Sequence, residues 1–262
     1  MKDLKLKKNR GLHGINVNYK LIIAYDGTDF SGWAKQPQKN SIADTVHNAF
    51  ARSFEGEFQM VGASRTDAGV HALGQVMLLK TELDLKPHDI KAAMNNLLPE
   101  SINIRSVEVA PEKFHPFYNV EYKVYWYHIF QERPLPFLAR YGWHYEWPID
   151  IEKLKQCLKV FEGTHDFRSF SSGWSRENTI RTIDAIHVTY LKRYNVYRIE
   201  VVGQKFLQHM IRRVVGACIK VAASQHMPIN VLSEALAKEH PRQLLPNAPA
   251  KGLLLKKIRY IK

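Results

Sequence analysis

The sequence predicts an α+β protein with two similar lobes, each an antiparallel or mixed sheet with helices on one face. Two observations predict this class. Segments with strand alternation and segments with helical periodicity are interleaved, and the second half repeats the mixture of the first after a break near Ala110-Pro111. Elements that are apolar on one face only must pack in layers. A cleft between two such lobes is then the expected place for a site.

The first lobe, predicted for residues 18–110, opens with a strand that ends at a turn. A helix follows, because Ser41 is a good cap and apolar residues recur every fourth position from Ile42 to Phe54. Pro87 and Pro99 bracket a second helix. The predicted elements are a strand at 19–27, a helix at 41–54, strands at 58–64 and 75–80, a helix at 87–98 and a strand at 102–110.

The second lobe, predicted for residues 111–262, contains further strands and a long apolar-striped helix. Its predicted elements are a β-rich run at 118–130, a helix at 150–161, strands at 182–192 and 195–203, helices at 204–223 and 229–239, and a strand at 252–261. Alternation along the first of these strands places Tyr125 and Tyr127 on one face and Trp126 on the other. One aromatic face can pack in the core, and the other is exposed or lines a cleft where a base could stack.

The charge of the chain favours a polyanionic partner. Lys and Arg total 38 against 25 Asp and Glu, for a net charge of +13 and a pI near 9.6. Such a surplus is typical of proteins that bind nucleic acid, an anionic membrane or acidic substrates, although a basic protein with no such partner is the alternative. Residues 1–17 are predicted to be a flexible basic tail, because basic residues are not followed by the apolar segment of a signal peptide.

The predicted helix at 204–223 has one basic face. Lys205, His209, Arg212, Arg213 and Lys220 share this face, and no Asp or Glu occurs from 201 to 233. Like charges at helical spacing repel, and a solvated face normally mixes both signs. The pattern therefore indicates an anionic partner, with a merely solvated face as the alternative.

The two cysteines, Cys157 and Cys218, are far apart and lie in apolar helical patterns, which predicts buried thiols in a reducing, cytoplasmic compartment. Nucleotide-binding glycine loops, hydrolase nucleophile motifs and zinc-protease motifs are absent from the sequence. The twelve histidines are scattered without metal-ligand spacing. The residues alone thus point to neither a cofactor nor a metal.

A bend between two strands carries the most reactive constellation. In ASRTDAGVHALGQV, residues 63–76, Arg65 and Asp67 precede Gly69, which fits a backbone position with positive φ. An aspartate at a turn is usually a local cap for backbone N–H groups. Beside a guanidinium it stays ionised, and it can then act as a nucleophile, a base or half of an ion pair.

The same stretch resembles the signature of the TruA family of tRNA pseudouridine synthases, G-R-T-D-A-G-V-H-A-x-G-Q-V. The resemblance continues in order through IAYDGTDFSGWAKQ, MNNLLPESINI, FHPFYNVEYKVYWYHI, HDFRSFSS, FLQHMIRRVVG and APAKGLLL. It therefore covers nearly the whole chain, and several specific motifs carry it.

The resemblance implies a role for each matching position. Asp67 matches the nucleophile that isomerises uridine to pseudouridine, and Arg65 matches the arginine that helps to extrude the target base. Tyr125 matches the tyrosine that stacks on the uracil, Arg212 the arginine that pairs with the aspartate, and Leu253 an apolar residue of the pocket. Flipping a base out of a stem costs a few kcal/mol, which an arginine in the vacated space can offset.

The resemblance also implies the substrate and the assembly. Family members act on positions 38 to 40 of the tRNA anticodon stem-loop, are homodimers without cofactor or metal, and have two lobes that share a continuous central sheet. Lys205, His209 and Arg213 are then expected to bind the phosphate backbone without reading sequence.

Three positions depart from the family pattern. Ser64 replaces the glycine before Arg65, and Ala34 and Ala43 each replace a glutamine. These changes bear on which tRNA positions are used more than on the reaction. Two other readings stay open at this point: an RNA-binding module without catalysis, and a metal-dependent RNA-processing hydrolase that uses an acid.

Overall fold

The computed structural model describes residues 17–35, 40–172, 178–237 and 245–261. The chain divides into two compact units. Unit 1 comprises the described residues of Met1–Val120 and Tyr260–Lys262, and unit 2 comprises the described residues of Glu121–Arg259. Each unit combines helices with a sheet, so the predicted α+β class is confirmed. Most of the predicted basic tail lies outside the described residues, and only Val17 of it is seen, as the first residue of a strand.

Unit 1 has four antiparallel strands and two helices. Its elements are β1 (Val17–Tyr25), α1 (Ile42–Ser53), β2 (Phe58–Gly62), β3 (His71–Thr81), α2 (Pro87–Leu97) and β4 (Ile102–Ala110). The strand order is β4-β1-β3, and β2 pairs with the end of β3 from Met77 to Thr81. Each element of the predicted first lobe is confirmed, although β3 begins earlier than predicted.

Local chemistry explains why these helices form where the sequence predicts them. The Ser41 hydroxyl accepts a hydrogen bond from the N–H of Asp44 and caps α1, and the α1 face with Ile42, Val46 and Phe50 is buried. In α2, Pro87 occupies the first turn, where a missing N–H has no intrahelical partner to lose. These two helices could be placed from sequence because their start signals lie at the helix ends, at Ser41 directly before α1 and at Pro87 in the first turn of α2.

Unit 2 contains the remaining elements. They are β5 (Val120–Phe130), β6 (Trp143–His144), α3 (Ile151–Lys159), β7 (Gly163–Asp166), β8 (Ile180–Ile183), β9 (Ala185–Leu191), β10 (Val196–Gly203), α4 (Met210–Ala222), α5 (Asn230–Ala237) and β11 (Leu253–Tyr260). The sheet has the order β11-β5-β10-β9, and β7 and β8 form a separate two-stranded sheet. The strand predicted at 182–192 is divided into two strands, β8 and β9. Asp184 separates them, and its N–H donates a hydrogen bond to the carbonyl of Val202.

The helix predicted at 204–223 is shorter than predicted. It begins at Met210, and His209 precedes it in a left-handed conformation with φ 60. Lys205 and His209 therefore do not belong to the helix, and the basic face predicted across it is wrong for these two residues. The apolar Phe206 packs edge-on against Tyr125 of β5, with ring centroids 5.3 Å apart, instead of continuing the helical stripe. Among the described residues, no helix combines the length and apolar character of a membrane span.

Candidate active site

The bend predicted to carry the acid is the loop between β2 and β3. Arg65 is exposed, Thr66 is buried and Asp67 is half-buried, so the side chains alternate between solvent and the interior of unit 1. Gly69 has φ 77, as predicted for this position, and the N–H of Val70 closes the turn on the carbonyl of Asp67 at 3.1 Å. The loop thus presents a guanidinium and a carboxylate from two positions of one short turn that are separated by Thr66.

A buried amide holds the start of this loop. Gln75 of β3 is fully buried, and its side chain binds both backbone polar groups of Ser64. The Ser64 N–H donates to Gln75 Oε1 at 3.2 Å, and Gln75 Nε2 donates to the Ser64 carbonyl at 2.6 Å. This two-point contact fixes the peptide planes on both sides of the residue that precedes Arg65.

A second buried contact holds the middle of the loop. The hydroxyls of Tyr25 and Thr66 lie 2.8 Å apart, and Gln75 Nε2 donates to the same tyrosine oxygen at 3.4 Å. On the other side, the N–H of Trp33 donates to the carbonyl of Thr66 at 3.0 Å. Thr66 is therefore held through both its side chain and its backbone.

The end of the loop approaches the β1 turn very closely. A Cβ atom at Gly27 would lie 2.0 Å from the carbonyl oxygen of Val70, so this position excludes any side chain. The N–H of Gly27 also donates to Nδ1 of the buried His71 at 3.1 Å. Sequence reasoning missed the roles of Tyr25, Gln75 and His71; the only available signal was a polar residue inside an otherwise apolar strand.

In unit 2, Arg212 lies in the first turn of α4 and is half-buried. Its Nε donates to the carbonyl of Ala248 at 2.9 Å, and the N–H of Ala248 donates back to the carbonyl of Arg212 at 3.0 Å. The helix approaches this segment closely, since a Cβ atom at Gly216 would lie 2.2 Å from the carbonyl oxygen of Pro246. The orientation of the Arg212 guanidinium is therefore set by its hydrogen bond to the backbone carbonyl of Ala248.

Tyr127 links the same segment to the sheet. Its hydroxyl donates to the carbonyl of Pro249 at 2.9 Å. Burial raises the pKa of Tyr127 well above its ordinary value, and the positive charge of Arg212 lowers it to a smaller extent. The phenol is thus neutral and serves as a hydrogen-bond donor beside the cationic Arg212.

The two residues predicted to contact the uracil are both in the core of unit 2. Tyr125 is 7% exposed and Leu253, the first residue of β11, is also 7% exposed. Tyr125 and Tyr127 lie on the same face of β5, as predicted, and Phe206 packs edge-on against Tyr125. A ring held at its edge by a second ring keeps a fixed orientation, which suits a stacking role.

The opposite face of β5 is not a stacking platform. The Arg198 guanidinium carbon lies 3.5 Å from the centroid of the Trp126 ring, and Lys256 Nζ lies 4.4 Å from it. The Trp126 N–H donates to Glu200 at 2.7 Å. Cations of the protein itself therefore contact the ring of Trp126.

A cationic cluster lies at the end of β5 and β10. Lys123 is paired with Gly203 in register, and the exposed Lys205 follows two residues later. Burial, with a smaller contribution from the charge of Lys205, lowers the pKa of Lys123 to about 8. Lys123 was not predicted as a site residue, although it occurs two residues before Tyr125 and on the same face of the strand.

His209 and Arg213, both predicted to bind RNA, converge on one hydroxyl. Ser172 Oγ lies 2.7 Å from His209 Nδ1 and accepts a hydrogen bond from Arg213 Nη2 at 3.1 Å. Burial, followed by the charge of Arg212, lowers the pKa of Arg213. The structure therefore places Arg212, Arg213 and His209 around the start of α4, with Lys205 earlier in the connection.

Each unit thus groups its own share of the predicted residues: Arg65 and Asp67 in unit 1, and Tyr125, Lys205, His209, Arg212, Arg213 and Leu253 in unit 2. In the part of the chain that the structure describes, no three His, Cys, Asp or Glu side chains are placed to hold a metal ion.

Comparison with known proteins gives a consistent result. A family model described as tRNA pseudouridine synthase matches residues 21–119 and 158–261. Arg65 and Asp67 lie in the first matched range, Arg212 and Leu253 in the second, and Tyr125 between them.

Curated relatives match along most of the chain. The tRNA pseudouridine synthase A of Thermodesulfovibrio yellowstonii is 35% identical over 254 residues, which are 93% of this chain and 100% of the relative. The proteins of the same name from Pseudothermotoga lettingae and Streptococcus gordonii are each 36% identical, over 90% and 93% of this chain and 97% and 99% of the relatives.

Proposed function

The chain belongs to the tRNA pseudouridine synthase family, isomerases that convert uridine to pseudouridine in tRNA, and from this premise we propose that Asp67 is its nucleophile. The proposed targets are positions 38, 39 and/or 40 of the anticodon stem-loop. The observation that carries the proposal is the geometry of the loop: a half-buried carboxylate follows an exposed guanidinium by two residues on a turn held by buried hydrogen bonds.

The proposed reaction rearranges one nucleotide without net gain or loss of atoms. The Asp67 carboxylate attacks the flipped nucleotide, at either the uracil or the ribose, and the bond between N1 and C1′ breaks. The bond formed to Asp67 breaks again before the product leaves, which returns the carboxylate with its electron pair. The uracil turns, a bond forms between C5 and C1′, and the proton on C5 is lost as N1 gains one. No step requires an oxidant, a reductant or a metal, so the proposal includes no cofactor.

The other predicted residues receive roles that their surroundings support. Arg65 is exposed and can occupy the space of the flipped base. The fixed ring of Tyr125 stacks on the uracil while the uracil is detached from the ribose, and Leu253 contributes an apolar wall. Arg212, held by the Ala248 carbonyl, is proposed to pair with the carboxylate, as the resemblance implies.

The phosphate backbone is proposed to bind to the cationic groups of unit 2. Lys205 is exposed, and His209 and Arg213 are ordered by Ser172. Contacts of this kind position an RNA and contribute salt-dependent affinity without reading its sequence. The shape of the stem-loop, and not base-edge contacts, would then select the substrate.

We also propose that the protein acts in the cytoplasm as a homodimer. Two buried free thiols are typical of a reducing compartment. Leu135, Phe137 and Trp147 are large apolar residues that are 65%, 82% and 69% exposed in unit 2, and exposed apolar groups of this size are typical of protein interfaces. Light scattering coupled to gel filtration tests the dimer, and a monomer mass at micromolar concentration contradicts it.

The catalytic proposal is tested by Asp67→Asn, which removes the charge and keeps the shape of the side chain. We expect no pseudouridine in tRNA incubated with this variant, as read by mass-shift labelling of pseudouridine. The matched control is Asp84→Asn, an exposed aspartate of the same unit, which should modify tRNA like the wild type. Modification retained by Asp67→Asn would refute the nucleophile, and activity that is lost in chelator would favour a metal-dependent reaction.

A further inference from the structure

We propose that Tyr25 and Gln75 are positioning residues, which set the backbone geometry of Arg65 and Asp67 through a buried hydrogen-bond chain. These hydrogen bonds connect Ser64 to Gln75, Gln75 to Tyr25, and Tyr25 to Thr66. This inference rests on the proposed function of the loop. According to this inference, the precise placement of Arg65 and Asp67 depends on side chains that do not themselves contact the substrate.

The burial of Gln75 is the first step. The side chain is 0% exposed in a strand whose following residues, Val76 to Leu79, are all buried and apolar. A buried amide is costly unless its polar atoms are bonded, and it adds no packing that a methionine could not provide. Both ends of this amide are bonded to the same residue, Ser64, so its hydrogen bonds serve the loop and not the strand ladder.

The contact between Tyr25 and Thr66 is the second step. Each hydroxyl is buried, and they lie 2.8 Å apart across 41 residues of sequence. Thr66 stands between Arg65 and Asp67, so a rotation of its backbone moves both neighbouring side chains at once. Loss of this one contact therefore displaces the guanidinium and the carboxylate together.

The chain of contacts also explains a departure from the family pattern. Gln75 holds only the backbone N–H and carbonyl of Ser64, and the serine is buried. A serine can therefore replace the family's glycine without loss of the contact, because the clamp makes no use of the side chain. The same clamp keeps the peptide before Arg65 in place.

The decisive experiment compares two tyrosine hydroxyls of the same strand. Tyr25→Phe removes the hydroxyl that bonds Thr66, whereas Tyr19→Phe removes the hydroxyl of another buried tyrosine, which bonds the backbone of Leu85. We expect Tyr25→Phe to lower kcat on tRNA about tenfold or more, because small misplacements of reacting groups are costly, with little change in KM. Tyr19→Phe should lower the melting temperature and leave kcat at the wild-type value.

A double-mutant cycle identifies the contact itself. Thr66→Val removes the partner hydroxyl at nearly constant volume, and its effect on kcat should not add to that of Tyr25→Phe. Thr66→Ser, which keeps the hydroxyl, should recover most of the kcat that Thr66→Val loses. Gln75→Met should resemble Tyr25→Phe, with kcat reduced more than KM is changed.

The outcomes separate this inference from the proposed function. If wild-type protein forms no pseudouridine in tRNA, the proposed function fails. If the wild type is active and Tyr25→Phe and Tyr19→Phe change kcat equally, only the positioning role is overturned. Additive effects of Tyr25→Phe and Thr66→Val would overturn the pairing of the two hydroxyls.

Discussion

The Asp67 loop of unit 1 and the Arg212 turn of unit 2 are held in place by different means. Neutral side chains hold the loop in addition to its backbone hydrogen bonds: the amide of Gln75 and the hydroxyls of Tyr25 and Thr66 form a buried network beside it. Backbone groups hold the turn: the carbonyls of Ala248 and Pro249 accept hydrogen bonds from Arg212 and Tyr127.

This difference follows from the charge that each region presents. A carboxylate that is proposed to attack a nucleotide needs a fixed backbone, and the buried amide and hydroxyl groups supply it without adding a further charge. A guanidinium in a half-buried place needs acceptors, and backbone carbonyls of a close segment supply them without adding a competing carboxylate. The comparison predicts that removal of a neutral side-chain polar group disturbs the unit 1 loop, whereas displacement of the backbone disturbs either region.

The largest expected effects come from two glycines at which a Cβ atom meets backbone. Gly27→Ala forces Val70 away from the end of the loop, and Gly216→Ala forces Pro246 away from α4. Each should lower the free energy of unfolding by about 1 to 3 kcal/mol through overpacking, measured by urea denaturation. Each should also reduce pseudouridine formation by about 100-fold.

The two glycine variants sharpen the comparison when they are combined with Arg212→Ala. Gly216→Ala already displaces the segment that orients Arg212, so these two changes should not add in their effect on kcat, whereas the effects of Gly27→Ala and Arg212→Ala on the free energy of unfolding should add. Wild-type activity of either glycine variant would mean that the close approach does not matter for the site.

Removal of Arg212 should affect catalysis more than folding. Arg212→Ala loses the charge and one hydrogen bond to Ala248, so we expect turnover to fall about 10- to 100-fold and stability to fall by about 1 kcal/mol. Arg212→Lys keeps the charge but not the planar fork, and should recover turnover only in part. Lys220→Ala, on an exposed position of the same helix, is the control and should be silent.

Parallel losses in turnover and in melting temperature for Arg212→Ala would show that the arginine is structural. The interpretation of the unit 2 turn would then be wrong, because the backbone contacts of Arg212 would only hold α4 in place and would not orient a catalytic guanidinium.

The sequence predicts well the elements whose boundaries are determined by neighbouring residues, and poorly the features that are determined by contacts between residues far apart in the chain. α1, α2 and β4 were placed from caps, prolines and alternation, which lie inside the elements. The start of α4 was missed, because the packing of Phe206 on Tyr125 overrides an apolar periodicity that continues through the turn.

The positioning network was beyond sequence reasoning for the same reason. Gln75 contacts Ser64 across 11 residues and Tyr25 across 50, and no spacing rule connects these positions. Asp67 and Arg65, by contrast, could be selected from the sequence, since an arginine and an aspartate on a turn are visible in a short stretch; their catalytic roles stay a prediction that rests on the family resemblance.

The pKa of Lys123 makes the stability of unit 2 depend on pH. Burial lowers this pKa from 10.5 to about 8 in the folded state. Below pH 8 both states hold the proton, and above it the unfolded state holds more protons, so the free energy of unfolding should rise with pH. Between pH 7.5 and 9 we expect Lys123 to contribute a rise of about 1 kcal/mol, measured by urea denaturation as the difference between the wild type and Lys123→Met.

Lys123→Met is the control for this pH dependence, because it removes the titrating group and keeps much of the volume. The rise between pH 7.5 and 9 should disappear in this variant. The buried Cys157, with a pKa raised to about 11, and the buried Cys218, whose pKa is also raised, oppose the effect as the unfolded thiols lose their protons near pH 9. They do so in the wild type and in Lys123→Met alike, so the contribution of Lys123 is the difference between the two proteins. An unchanged rise in Lys123→Met would assign the pH dependence to another group.

The smallest expected effect concerns Lys205, which is exposed beside Lys123 and contributes charge without a buried contact in the core. Lys205→Glu should weaken tRNA binding and reduce the slope of log affinity against log salt concentration by about 1, because one phosphate contact is lost. Lys192→Glu makes the same charge change at another exposed position of unit 2 and should leave the slope nearly unchanged. If both variants reduce the slope equally, the effect belongs to the net charge of the protein and not to a contact at Lys205. A reduction of the slope by Lys205→Glu alone would add Lys205 to Arg212 as a second cationic side chain of unit 2 that acts on the RNA. Unit 2 would then differ from the Asp67 loop in presenting charges to the RNA, where the loop is held by a neutral network.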